Sequence, residues 1–217
     1  MDSCTDLPCS GYSRLSRHRP RFLLLAALAL GATLISLRPA GAVTLPEPLE
    51  VQICFDYACA HQAPARFEPV LLARIAAALA RAHTAAEERS LIAESVAQLY
   101  VHAALQTPIW RDRGGNRNDN TDLPGAMDCL DHTANTTAFL QLMQRAGMLR
   151  FHRVSDPVRR VRFFVAEHWS ARIVESASDA VYVVDSWFFD LGTPAVVMPL
   201  AAWRAGDEPV AARVSLP

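Results

Sequence analysis

A cysteine at position 129, a histidine 39 residues later at His168 and an aspartate 17 residues beyond that at Asp185 supply the three side chains that cysteine acyl transfer requires. They are a nucleophile, a base, and a carboxylate that holds the base in one tautomer. Each has a structural reading of its own: a small buried thiol, a satisfied sheet histidine, a carboxylate at a strand end. Their order and the elements that carry them favour the chemical reading.

Cys129 opens a helix. Pro124 and Gly125 break the preceding chain, Asp128 is a good N-cap, and Leu130, Ala134, Thr137, Ala138, Gln141 and Leu142 recur at helical spacing until Gly147 serves as C′ residue. A thiol on the first turn meets unpaired backbone N–H groups and the positive end of the helix dipole, which favour the thiolate and a developing oxyanion.

His168 and Asp185 fall on a hairpin. The runs Val161 to Glu175 and Ala180 to Phe188 are aromatic and β-branched and are separated by Ser176-Ala177-Ser178-Asp179. With that four-residue loop His168 pairs with Trp187 and Asp185 lies two residues away; a register one step shorter sets His168 directly opposite Asp185. In both cases the two share a face.

The remaining chain reads as scaffold. Leu49 to Tyr57 alternates as a strand, and Glu68 to His83 and Ala85 to Gln106 are helices, the second capped by Thr84 with Glu87 and Glu88. His83 and His102 on these helices read as surface or packing residues. Thr107 to Leu123 is a long irregular loop rich in Gly, Asn and Asp that faces substrate or solvent; calcium is a candidate there, although the spacing is not that of the twelve-residue calcium loop. Leu149 to Val154 is a strand ended by Asp156-Pro157, Asp190 to Pro194 is a turn, Val196 and Val197 extend the sheet, and Leu200 to Trp203 is a short helix.

All 21 basic residues are Arg, so Lys Schiff bases and the P-loop Lys are excluded. Arg14, Arg17, Arg19 and Arg21 precede an apolar run, Phe22 to Leu37, and Ala40-Gly41-Ala42 offers a cleavage site. Residues 1–42 are therefore expected to be a signal peptide or an uncleaved anchor, with an exported domain over 43–217 facing the periplasm; membrane contact is expected only through that segment. Beyond residue 42 stand 16 Arg against 20 acidic residues, a net charge of −4, which argues against a nucleic-acid partner. In an oxidising compartment Cys54 and Cys59 are the local candidates for a disulfide, which leaves Cys129 as the surplus thiol. Zinc competes for the same atoms, through Cys129, His132 and either His152 or His168, but a fourth ligand is not evident. No cofactor is expected otherwise.

The motifs Met127-Asp128-Cys129, Asn135-Thr136-Thr137, Glu167-His168-Trp169 and Val184-Asp185-Ser186-Trp187 resemble the transglutaminase-like superfamily within the papain-like cysteine peptidase fold, among it exported bacterial proteins of uncharacterised function. The resemblance covers Gly125 to Trp203. It implies an α+β domain in which the Cys-bearing helix packs on an antiparallel sheet, with a helical scaffold over 68–106 and a catalytic core over 125–203. It further implies Cys129 as nucleophile, His168 as base and acid, and Asp185 as orienter. The Cys129 N–H is one oxyanion donor, and Trp110, Asn118 and Asn120 are candidates for the second. Trp169 and Trp187 are candidates to wall the cleft. The implied function is cleavage or transfer of an amide bond in a protein, a peptide or an envelope peptide crosslink. The alternatives are a catalytically silent peptide-binding module of the same fold, a crosslinking transglutaminase and a structural envelope protein.

Overall fold

A computed structural model describes residues 49–115, 123–162 and 166–209; the expected leader at 1–42 and the candidates Asn118 and Asn120 lie outside the described residues. The described chain opens with an antiparallel ribbon, β1 (Leu49–Phe55) against β2 (His61–Phe67). The second strand, His-Gln-Ala-Pro-Ala-Arg-Phe, carries little β-propensity. It forms because Ala65 and Phe67 bury completely beside Val51, Ile53 and Phe55 of its partner. Pro64 is tolerated on a two-stranded ribbon, where one N–H of each strand is not needed for pairing.

Helices α1 (Pro69–Leu79) and α2 (Ala85–Ala104) follow. The expected capping box at Thr84 is formed: Glu87 N donates to Thr84 Oγ1 at 3.1 Å, and Thr84 N donates to Glu87 Oε2 at 3.2 Å. After a 3₁₀ turn at Pro108–Arg111 comes α3 (Cys129–Arg145), then β3 (His152–Arg162), β4 (Ala166–Glu175), β5 (Val181–Asp185), β6 (Val196–Pro199) and α4 (Leu200–Ala205). The four later strands make one antiparallel sheet in the order β3-β4-β5-β6, so the architecture is α+β.

Several boundaries differ from the sequence expectation: the first helix stops at Leu79 rather than His83, and β3 and β4 divide the chain differently. Asp156-Pro157 does not end β3; the strand runs on to Arg162 through an irregularity between Ser155 and Val158, because β3 is an edge and a bulge there absorbs the proline's missing N–H. Val161 and Arg162 accordingly close β3, and the His168 strand begins only at Ala166.

α3 lies between the ribbon and one face of the sheet. Phe139 meets Phe67 edge-on at 5.6 Å and Tyr100 at 5.0 Å, and the same core takes in Ala171, Ile173 and Val184. The opposite face of the sheet is covered by α4, where Trp203 buries completely against Val158 and Val183. Glu88, fully buried near the start of α2, ties the helices to the sheet: it accepts from Arg150 N at 2.6 Å, Phe151 N at 3.0 Å and the His152 ring at 2.7 Å. Burial alone raises its carboxyl pKa, but these three donors outweigh it and the net direction is down.

Candidate active site

Asp128 caps α3 as expected, with Oδ1 accepting from Leu130 N and Asp131 N, each at 2.9 Å, while Asp128 N donates to Asp131 Oδ2 at 3.1 Å. Cys129 is the first residue of the helix and is half-buried. Gly125 is needed at the approach: its φ is +93°, and an added Cβ would stand 2.1 Å from the Pro108 carbonyl oxygen.

What holds this helix start was not legible beforehand. Asp56, Tyr57, Ala58 and Cys59 are four consecutive non-glycine residues in the left-handed region, with φ of 63°, 65°, 52° and 58°. Such residues cost roughly 1–2 kcal/mol each, so about 4–8 kcal/mol together. Three kinds of contact offset this. The disulfide Cys54–Cys59 closes the turn. Ala58 N donates to Asp128 Oδ2 at 3.0 Å and Cys59 N donates to Asp131 Oδ1 at 2.7 Å, so the turn docks on the two carboxylates that flank Cys129. Asn135 grips Cys54 through both its N–H (2.7 Å) and its carbonyl (2.9 Å). Burial, and then the neighbouring Asp128 charge, push the Asp131 carboxyl up to about 7.

His168 and Asp185 are together. The His168 Nε2 stands 2.7 Å from Asp185 Oδ2, both residues are buried, and the register Ala171 opposite Val184 continues to place His168 across from Trp187, the first of the two registers weighed from the sequence. The His168 ring packs against Trp187 at 4.7 Å, Phe188 at 5.6 Å and Trp203 at 5.6 Å. Nε2 is the ring nitrogen that meets the carboxylate. Asp185 Oδ2 also accepts from Trp203 Nε1 at 3.0 Å, and Oδ1 accepts from Trp187 N at 3.2 Å.

Strand alternation separates this pair from α3. Asp185 shares a face with Val183 and Trp203, whereas Ser186 turns to the helix with Val184. Ser186 Oγ lies 2.9 Å from His132 Nδ1, 2.8 Å from Thr136 Oγ1 and 3.2 Å from the Tyr100 hydroxyl, while His132 Nε2 lies 3.0 Å from Asp112 Oδ2. Burial pushes the Tyr100 phenol pKa up, so it remains a donor. This buried network fastens the first turn of α3 to the end of β5, with Cys129 three residues, about 4.5 Å of helix rise, before His132. The start of α3 therefore stands near the end of the strand that carries Asp185. Among the described contacts His168 makes none with Cys129.

The other candidates are distributed as follows. Trp187 is buried against His168, and Trp169, half-buried, alternates to the α3 face. Trp110 is 59% exposed with the Arg111 guanidinium 4.5 Å from its ring centroid, a surface stack. His132 lines the start of α3, buried, with both ring nitrogens engaged. The zinc grouping is not assembled, because His152 is held at the other end of the domain by Glu88 and Arg89. In the loop considered for calcium, Asp112 is turned inward, accepting from Met127 N at 2.7 Å as well as meeting His132. Sequence reasoning missed Asp112, Ser186, Arg160 and Trp203. Ser186 stood within the Val184-Asp185-Ser186-Trp187 motif without a role of its own, and His132 and Thr136 have the spacing of one helix face.

No family model, curated protein or solved structure matches this chain.

Proposed function

We propose that the chain is a cysteine acyl-transfer enzyme, a peptidase or amidase related to the transglutaminase-like superfamily with a papain-like core. The observation that carries this reading is the buried His168–Asp185 pair, with Nε2 2.7 Å from Oδ2, at a strand end whose next residue, Ser186, is bonded to His132 of the Cys129 helix. Cys129 Sγ gives its proton to His168 Nδ1 and attacks an amide carbonyl. The developing oxyanion takes the Cys129 backbone N–H, and the His168 imidazolium then protonates the leaving amine. Water, deprotonated by His168, attacks the thioester and regenerates the thiol. Asp185 holds the imidazole in the Nε2–H tautomer throughout. Because the pair lies on the sheet face away from the body of α3, the first proton transfer requires the Cys129 thiol to reach His168 around the end of β5. Hydrolysis is the default outcome, since water is the default acceptor, and a protein, peptide or envelope peptide is the substrate class. The Cys54–Cys59 disulfide suits an oxidising compartment and supports export to the periplasm, either as a cleaved protein or as one anchored in the inner membrane through residues 1–42.

One observation favours a second reading, a catalytically silent peptide-binding module: Cys129 lies between the carboxylates of Asp128 and Asp131, which oppose a thiolate. Iodoacetamide labelling of the folded protein from pH 5 to 9, with the modified site read by mass spectrometry, separates the two. The enzyme reading expects rapid labelling of Cys129 that slows at least tenfold in His168→Ala. Labelling that is indifferent to His168 sinks it and leaves the binding module.

A further inference from the structure

We infer that Trp203, braced by Arg160, is a positioning residue of the acyl-transfer site proposed above, on which this inference rests: its indole N–H fixes the Asp185 carboxylate and, through it, the orientation of the His168 imidazole. The same oxygen, Asp185 Oδ2, receives both His168 Nε2 at 2.7 Å and Trp203 Nε1 at 3.0 Å, while Oδ1 is taken by Trp187 N at 3.2 Å. With donors on both oxygens the carboxylate plane cannot rotate, so the direction offered to His168 is set by the indole as much as by β5. The indole also touches the imidazole directly, with ring centroids 5.6 Å apart and planes tilted by 39°.

Trp203 is itself held from behind. Arg160 lies opposite His168 in the β3–β4 register, stacks its guanidinium 4.7 Å from the Trp203 ring centroid and donates to the Trp203 carbonyl oxygen. Both residues are buried. Burial lowers the Arg160 pKa and the Asp185 charge works against that, which places the cation within electrostatic reach of the orienting carboxylate. A tryptophan needed only to fill the space over Val158 and Val183 would satisfy its N–H on any nearby carbonyl. Here the N–H goes to the one carboxylate that orients the base, and the cation that braces the ring sits across from the base itself.

The test uses the purified protein, with Trp203→Phe, which keeps an aromatic ring but removes the N–H. Ring ¹⁵N shifts of His168 report its tautomer, and the pH–rate profile of Cys129 alkylation by iodoacetamide reports the base. The expected result is a single Nε2–H tautomer in wild type and a mixture in Trp203→Phe, with alkylation slowed about tenfold, the size of a lost hydrogen bond to a charged group. A merely structural tryptophan would move stability and leave the tautomer alone. If Trp203→Phe does not fold, Arg160→Met, which releases the ring from behind, is read in the same way, with Arg160→Lys expected to restore part of the wild-type profile. Should His168→Ala slow alkylation while these variants keep the wild-type tautomer and profile, this inference falls and the enzyme reading stands. Should His168→Ala change nothing, both fall.

Discussion

Removing the Cys54–Cys59 disulfide as Cys54→Ser/Cys59→Ser is the most direct test of how the Cys129 helix start is held. In the chain-entropy treatment a loop of about five residues lowers the unfolded-state entropy by roughly 7 cal/mol/K, or about 2 kcal/mol at 25 °C. The four left-handed residues oppose folding by about 4–8 kcal/mol. The two N–H bonds from Ala58 and Cys59 to the Asp128 and Asp131 carboxylates return about 3–6 kcal/mol at about 1.5–3 each. Strain and docking therefore nearly balance, and the disulfide tips the turn toward the observed conformation. The double variant should lose about 2 kcal/mol, a fall in Tm of roughly 4–8 °C for a domain of this size. Amide exchange at 58 and 59 should accelerate more than elsewhere, because those donors lose their carboxylates when the turn relaxes. The matched perturbation is Ala58→Gly in the wild-type background: φ is 52° there, so glycine relieves strain, and the gain after its extra unfolded-state entropy is about 0.5–1 kcal/mol. Thermal and urea unfolding followed by circular dichroism measure both. A double variant within 0.5 kcal/mol of wild type, or a clearly destabilised Ala58→Gly, would refute the account of the turn given above.

Further expectations concern the polar interior. Asp131, raised to about 7, contributes stability that is complete below its unfolded value near 4 and is lost as pH climbs toward 7. The urea midpoint of Asp131→Asn should therefore lack the decline that wild type shows over that interval, and an unchanged slope would count against the assignment. Glu88, whose pKa is lowered, acts in the opposite sense: its contribution is present above its unfolded value near 4.5 and disappears on acidification. Glu88→Ala leaves the Arg150 and Phe151 amides and the His152 ring without their acceptor and should cost about 3–5 kcal/mol by denaturant unfolding. Ser186→Ala deprives His132, Thr136 and Tyr100 of a shared partner; a loss of about 1–3 kcal/mol is expected, and a value near zero would mean the network does not fasten α3 to β5.

The His132–Ser186 and His168–Asp185 bonds stand back to back on adjacent residues of one strand end. One fastens the helix that bears Cys129 and the other holds the His168 ring, so a displacement of β5 would move both halves of the proposed site together.

The sequence by itself determined the local elements, because their determinants lie within a few residues of one another. Thr84 and Glu87 cap α2 at a separation of three, Asp128 and Asp131 cap α3 in the same way, and a tight turn after Glu175 sets the register that brings His168 and Asp185 to one face. Setting Cys4 and Cys9 aside with the expected leader, the short spacing of Cys54 and Cys59 marked them as the candidate pair, which the structure joins. Tertiary structure decided the rest, where partners are distant and local preference points elsewhere. β2 exists only because Ala65 and Phe67 bury against a core built by later helices. β3 passes through Asp156-Pro157 because β4 offers pairing on the far side. The left-handed turn is stable only where carboxylates 70 and 72 residues along the chain accept its N–H groups. Asp112 reaches His132 across 20 residues, Trp203 reaches Asp185 across 18, and Arg160 reaches the Trp203 carbonyl across 43. A lone Asp, Arg or Trp in sequence carries no mark of which buried partner it will meet. That choice is made when the sheet's two faces are covered, one by α3 and one by α4, and burial compels each polar group to find a partner.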